Sequence, residues 1–232
     1  MEKKLNICPY MIDLTPNIIL SKPQLGENIG STARAMKNFG IEKLRLIEPR
    51  DGWPNSSAYA ISAGADDVLN KTNVFKSLEE ATKDISLLFA TTARKRVIGT
   101  KSLDVFEAID KSFHHVVNGG QVGFLFGPEQ SGLSNDDVVQ ADYTISIPLN
   151  QNFSSLNLSQ AVLLICWEWN KVKMSYFKED NLPIKVNKKL KKSTKISNVG
   201  DREYFYQQLD FLLSKSGFFQ SPEMAPVVKR NI

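Results

Sequence analysis

At 232 residues, 42% hydrophobic and 23% charged, the chain is long enough for one well-buried α/β core with a modest appendage. Its formal net charge of +4 permits a polyanionic partner without demanding one. Cys8 and Cys166 lie far apart and lack metal-ligand spacing, which argues against a disulfide framework and fits a reducing compartment. The N-terminal stretch MEKKLNICPYMIDLTP is cationic, but Pro9 and Asp13 break its apolar run and no small-residue cleavage site follows. Nowhere do about 18 apolar residues run together, so no membrane span is expected, and a soluble cytoplasmic protein is.

In chain order, Pro16–Ser21 (PNIILS) is an apolar strand candidate, broken by Lys22-Pro23-Gln24-Leu25-Gly26. A helical pattern starts at Glu27, with Asn28 as its N-cap and Gly40 as its stop. Ser31, Arg34 and Asn38 share its polar face, and Ile29, Ala33 and Met36 an apolar one. Leu44–Glu48 (LRLIE) is a second strand, closed by Pro49. Ser57–Leu69, rich in alanine, predicts a closely packed helix, and Ser77 with Glu80 a capping box for a short one. Ser86–Ala90 (SLLFA) is a third strand, ending in Thr91-Thr92-Ala93-Arg94, and Leu103–Ser112 an amphipathic helix. Val122–Phe126 and Tyr143–Ile147 are two more strands, with a short helix at Asn135–Gln140 between them.

The helix that opens near Ser155 carries Leu158, Val162, Ile165 and Trp169 at helical spacing, a face for the sheet or for another subunit. Beyond Lys173 the composition shifts: Lys185, Lys188, Lys189, Lys191, Lys192 and Lys195 read as a linker or mobile arm. Asp201–Lys215 recovers helical periodicity, stops at Gly217 and is too short to fold without docking on something. The alternation of strands and helices predicts an α/β fold: a mainly parallel sheet with helices on both faces. The expected units are residues 1–174 as the main domain, 175–200 as a basic linker and 201–232 as a helical extension.

Gly26-Glu27-Asn28-Ile29-Gly30-Ser31-Thr32 sits where a phosphate-binding loop would, yet it lacks the lysine and its glycines are one residue too close. Gly119, Gly120 and Gly123 precede their strand, so they mark a turn and not a dinucleotide fingerprint. The adjacent His114 and His115 point apart and read as surface histidines. Local physics leaves Arg34 between a solvated charge and a bidentate phosphate grip. It leaves Glu129 between a catalytic carboxylate and a helix-end acid, and Ser154, Ser155 and Asn157 between a helix cap and a ligand loop. No histidine–acid pair lies near those serines, so a hydrolase triad has little support. Between Gln121 and Val162, however, two strand ends empty into glycine- and serine-rich loops, where open α/β sheets bind ligands.

Three stretches then fall into a pattern: Asn28-Ile29-Gly30-Ser31-Thr32-Ala33-Arg34-Ala35-Met36; Phe126-Gly127-Pro128-Glu129 with Gly132-Leu133; and Ile147-Pro148 with Ser154-Ser155-Leu156-Asn157-Leu158-Ser159. In this order and spacing they resemble the motifs of the SPOUT RNA 2′-O-ribose methyltransferases of the TrmH type, over roughly Ile18 to Trp169. Thr91-Thr92-Ala93-Arg94, and the last helix followed by Gly217-Phe218-Phe219 and a proline, are similar to the branch that methylates cytidine or uridine 32 of tRNA.

The resemblance implies a deep C-terminal trefoil knot, which no periodicity would suggest. It also implies S-adenosyl-L-methionine as cofactor, held by Thr91, Thr92, Ala93, Gly127, Ile147, Ser154, Ser155 and Leu156, largely through backbone groups. Glycine at 127 is expected because a backbone that approaches a ligand has no room for a Cβ. Asn28, Arg34, Glu129, Ser155 and Asn157 fall at the family's catalytic-side positions. A tRNA substrate, a homodimer formed through the helices beside the knot, and no metal complete the expectation. The Lys185–Lys195 arm is expected to follow RNA backbone; neutralising about 4 phosphates gives a log–log salt slope of about −3. The alternatives are a SPOUT 2′-O-methyltransferase acting on rRNA or on another tRNA position, and a catalytically silent RNA-binding protein of the same fold.

Overall fold

Every residue of Asn17–Ser21 (β1) is buried, as a strand covered on both faces of a parallel sheet must be. The computed structural model describes residues 13–92, 101–150, 152–153, 155–178, 197–216 and 218. Around β1 it places β2 (Lys43–Ile47), β3 (Asn73–Phe75), β4 (Leu87–Thr91), β5 (Lys101–Asp104), β6 (Val122–Phe126) and β7 (Tyr143–Ser146). These form one seven-stranded sheet in the order β3-β2-β1-β6-β4-β7-β5, with every described pairing parallel. The helices are α1 (Gly26–Asn38), α2 (Ser56–Ile61), α3 (Asp66–Asn70), α4 (Leu78–Thr82), α5 (Val105–Val117), α6 (Asn135–Val139), α7 (Leu158–Lys178) and α8 (Val199–Lys215).

Side-chain alternation along the strands divides the core in two. Ile18, Leu20, Phe89, Phe124 and Phe126 meet α1, α5 and α7 on one face, and Ile19, Leu88 and Leu125 meet α4, α6 and the start of α8 on the other. Helices on both faces are therefore as the alternation predicts. Leu158, Val162, Ile165 and Trp169 belong to the first core, and the Trp169 indole N–H donates to the Leu14 carbonyl at 3.2 Å. They are not subunit-interface residues.

Several local expectations are corrected. Ser57–Leu69 is two helices, α2 and α3, because Ala63 and Gly64 turn into the left-handed region at φ 47° and 88°. Asn28 is not a cap: α1 begins at Gly26, and its N-cap residue, Leu25, has no side chain able to accept a bond. Ser77 does cap α4, but Glu80 reaches the Lys76 amide at 3.1 Å and not that of Ser77; the reciprocal box is Ser134 with Asp137 at α6. Gly40 ends α1 as expected, at φ 67°. The strands β3 and β5 have no counterpart in the sequence reading.

The histidines differ. His114 is exposed, whereas His115 is half-buried, with Nε2 2.7 Å from the Ser86 hydroxyl. Burial holds the His115 imidazole below its ordinary value. The unfolded chain therefore takes up that proton first as pH falls, so this contribution to stability is intact above about pH 6.5 and is lost below it. Urea unfolding is expected to show a decline between about pH 7.5 and 5.5, flattened by His115→Gln.

α1 and α2 pack closely because Gly30 has no side chain: a Cβ there would lie 2.2 Å from the Ala58 carbonyl oxygen, a backbone atom that cannot swing aside. Gly30→Ala is expected to destabilise the fold by about 1–3 kcal/mol despite alanine's better helix propensity, read as a fall in melting temperature.

Candidate active site

The site is built where β4, β6 and β7 end. Past Phe126 the chain turns back on itself, with the Gly132 amide donating to the Pro128 carbonyl at 2.8 Å and Gly132 at φ 66°. A Cβ on Gly127 would stand 2.3 Å from the Leu133 nitrogen and 2.4 Å from the Gly132 carbonyl carbon. The chain's own return is enough to require glycine there, whatever the cleft holds. At the end of β4 the Thr91 hydroxyl donates to the Leu125 carbonyl at 2.9 Å and the Thr92 amide to the Ile145 carbonyl at 2.9 Å, so both threonines are tied to neighbouring strands.

These ends and the opening of α7 enclose a cleft of about 300 Å³. Thr91, Thr92, Gly127, Ile147, Ser155 and Leu156, which the resemblance assigns to the cofactor, line it together, while Ala93 and Ser154 lie outside the described residues. Glu129 is on its wall too. Pro128, inside the second motif, and Gln130, Ser131, Leu149 and Ala161, whose only signal in the sequence is adjacency to the motifs, also line it and were not assigned to the site. The volume is at the small end of ligand pockets. Phe126, Ile147, Leu149 and Leu156 give apolar walls for an aromatic base, and the threonines, Ser155 and strand-end backbone groups offer polar edges, which fits an adenosine-containing cofactor. Among the described residues no group of His, Cys, Asp and Glu is arranged to hold a metal ion.

Beside the cleft lies a hydrogen-bonded clasp. The Glu129 carboxylate accepts the Gln24 amide at 2.8 Å, the Leu25 amide at 3.2 Å and the Asn28 side-chain N–H at 2.7 Å. A residue 104 positions away thus supplies the acceptor that α1 lacks at its own N-terminus. Asn157 donates to Asn28 Oδ1 at 3.0 Å, and its own Oδ1 accepts the Ser159 amide and hydroxyl at 2.9 and 2.7 Å, capping α7. Glu129, Asn28 and Asn157 are therefore brought together, and they bind α1, the loop after β6 and the opening of α7 into one unit. With both oxygens accepting N–H bonds, the carboxylate is arranged as an anchor more than as a base.

Arg34 stands apart from this unit. It is exposed on α1, does not line the cleft, and its side chain makes no hydrogen bond or ion pair among the described residues. A fixed helix thus presents an uncommitted guanidinium.

Comparison with known proteins gives this geometry a family. The model of the SpoU rRNA Methylase family matches residues 15–167. The tRNA (cytidine/uridine-2′-O-)-methyltransferase TrmJ of Yersinia pestis (strain Pestoides F) is 34% identical over 215 residues, 92% of this chain and 80% of that protein. The crystal structure of TrmJ from Z. mobilis ZM4 matches with a TM-score of 0.76 at 40% identity, covering 94% of this chain and 88% of that one. The SpoU methyltransferase AviRb from Streptomyces viridochromogenes, in complex with AdoMet, matches with a TM-score of 0.56 at 25% identity, covering 72% and 63%. From the match over its core, and from motifs that converge at the strand ends, the chain belongs to the SpoU methylase family, the TrmH-type SPOUT RNA 2′-O-ribose methyltransferases that its sequence resembles.

Proposed function

We propose that this protein methylates the ribose 2′-oxygen of a tRNA nucleotide with S-adenosyl-L-methionine, at cytidine or uridine 32 of the anticodon loop. The observation that carries the reading is the clasp, in which Glu129, on the cleft wall, holds the helix that bears Arg34. The names of the TrmJ relatives support tRNA 2′-O-methylation, and the AdoMet complex of AviRb supports the cofactor.

Thr91, Thr92, Gly127, Ile147, Ser155 and Leu156 would hold the cofactor, with Ala93 and Ser154 from the same stretches, and what it supplies is a methyl group already activated on a sulfonium. Alignment of the attacking oxygen is left to the chain, and alignment alone is worth about 7–11 kcal/mol in well-oriented systems. Arg34 grips the phosphate 3′ to the target ribose and stabilises the alkoxide that develops as the 2′-hydroxyl gives up its proton to water; a guanidinium keeps its protons, so it acts by charge and geometry and not as a base. Ser155 helps hold the ribose, while Asn28, Glu129 and Asn157 fix α1 against the cleft.

The same reading extends to the chain path and the assembly. It takes residues 1–174 as the catalytic domain with a deep trefoil knot, 175–200 as a basic linker along RNA, and 201–232 as a helical extension. In support of the knot, β6 and β7 are consecutive in the chain but separated in the sheet by β4. The Lys185–Lys195 arm lies outside the described residues. A homodimer would form on the outer face of α7, where Leu163, Trp167, Met174 and Phe177 are exposed and the Trp167 ring meets Phe39 at 5.9 Å. Trp167→Glu is expected to shift sedimentation from dimer to monomer at micromolar concentration, and an unchanged dimer would place the interface elsewhere. A tRNA substrate would be met in the cytoplasm, and no described helix is long and apolar enough to cross a membrane.

Mass-spectrometric mapping of 2′-O-methyl groups in tRNA and rRNA, from cells with and without the gene, tests the reading. Loss at position 32 is expected. Loss at another tRNA site or in rRNA would redirect the substrate, and no loss anywhere would favour a catalytically silent RNA-binding protein.

A further inference from the structure

The first turn of α8 seats the helix in the core, while Leu209, Asp210 and Leu213 further along are half-buried. Of its residues only Val199 is buried, in the core face shared with Ile85 and Leu88, while Tyr204, Phe205, Tyr206, Phe211 and Leu212 are exposed. The Val199 amide donates to the Ile85 carbonyl at 2.6 Å and the Gly200 amide to the Lys83 carbonyl at 3.3 Å. Arg202 then closes a two-pronged ion pair on Asp142, at 2.5 and 3.2 Å, with both side chains largely shielded from water.

Asp142 has a second task. Its Oδ2 accepts the Leu88 amide at 2.8 Å, and its own amide donates to the Leu88 carbonyl at 2.9 Å. It is thus the first rung of the β4–β7 pairing, which continues through Phe89↔Tyr143 and Ala90↔Thr144 to Thr91↔Ile145. The far ends of these two strands deliver Thr91, Thr92 and Ile147 to the cleft. From Leu88 to Thr92 is about 13 Å along a strand, a short stiff path from the foot of α8 to the cofactor walls.

We propose that Arg202 is a positioning residue for the cofactor cleft: by holding Asp142 it couples the seating of the C-terminal helix to the pairing of β4 and β7. The oxygen that takes one prong of the guanidinium also takes the Leu88 amide, so losing Arg202 leaves Asp142 free to reorient and loosens the rung it completes. Such a coupling is reciprocal: whatever seats α8 favours the cofactor, and the cofactor in turn seats α8. Methylation would then respond to events on a helix that touches neither the cofactor nor Arg34. The inference rests on the cleft being the S-adenosyl-L-methionine site.

Calorimetric titration of the full chain with S-adenosyl-L-methionine, paired with hydrogen exchange at Val199 and Gly200, tests it. Arg202→Ala is expected to weaken cofactor affinity about five- to tenfold, Arg202→Lys to recover part of that loss, and Asp142→Asn to weaken it in the same direction. Saturating cofactor is expected to slow exchange at Val199 and Gly200 in the natural protein and not in Arg202→Ala. If Arg202→Ala frees α8, seen as fast exchange, yet binds the cofactor within twofold of the natural protein, Arg202 is only a tether and the proposal is overturned. If the natural protein itself does not bind the cofactor, the reading of the cleft has failed, a separate result.

Discussion

Arg34→Ala is expected to lower methyl transfer about 10²–10³-fold while leaving the fold and cofactor affinity as they are. The side chain is exposed and unpartnered among the described residues, and alanine is the best helix former, so stability should stay within about 0.5 kcal/mol. A loss of rate would then belong to the reacting complex and not to damage elsewhere. Arg34→Lys should recover little, because a point charge does not reproduce the planar fork that meets a phosphate with two parallel bonds. Single-turnover rates on a tRNA transcript, with a cofactor titration and a melting curve for each variant, read all three quantities. Near-full activity in Arg34→Ala would remove this residue from the chemistry.

Glu129→Ala is expected to cost about 2–3 kcal/mol of stability and most of the activity, for a different reason. It strips the acceptor from two backbone amides and from Asn28 at once, at a helix end with no other cap. Glu129→Gln keeps one acceptor oxygen but turns an amide nitrogen toward donors, so it should fall between the natural protein and alanine in both stability and rate. Urea denaturation beside steady-state kinetics separates the roles. Rate and stability declining together fit an anchor, whereas a Gln variant of natural stability without turnover would restore the carboxylate as an acid or base.

Much of the scaffold was legible because buried parallel strands are written as short apolar runs. β1, β4, β6 and β7 fall within a residue or two of PNIILS, SLLFA, VGFLF and YTISI. β3 and β5 escaped because an edge strand of three or four residues, mostly exposed, has no apolar signature; Leu103 is the one buried residue of β5 and reads equally well as a helix start. Asn28 was misplaced for a related reason. Local rules look for a cap within three residues, and the acceptor for α1 comes from Glu129, in a loop more than a hundred residues on. Of the candidate site, the residues of the cleft walls came from motif resemblance, and periodicity alone left them as caps and turns. The clasp of Glu129, Asn28 and Asn157 could not be read at all, since each bond joins parts of the chain that only the fold brings together.

The sheet order sets a timetable for a chain emerging from the ribosome. β1 pairs with β6, whose residues follow about a hundred positions later, and β4 has no described strand partner until β6 and β7 have been made. The nascent N-terminal half therefore carries β4 with both edges open, a template for mispairing with other chains. Each wall of the cleft needs one of the late strands or the start of α7, so the binding pocket is assembled in the closing stage of synthesis. Binding of any ligand in the cleft then doubles as a sign that the sheet has closed correctly.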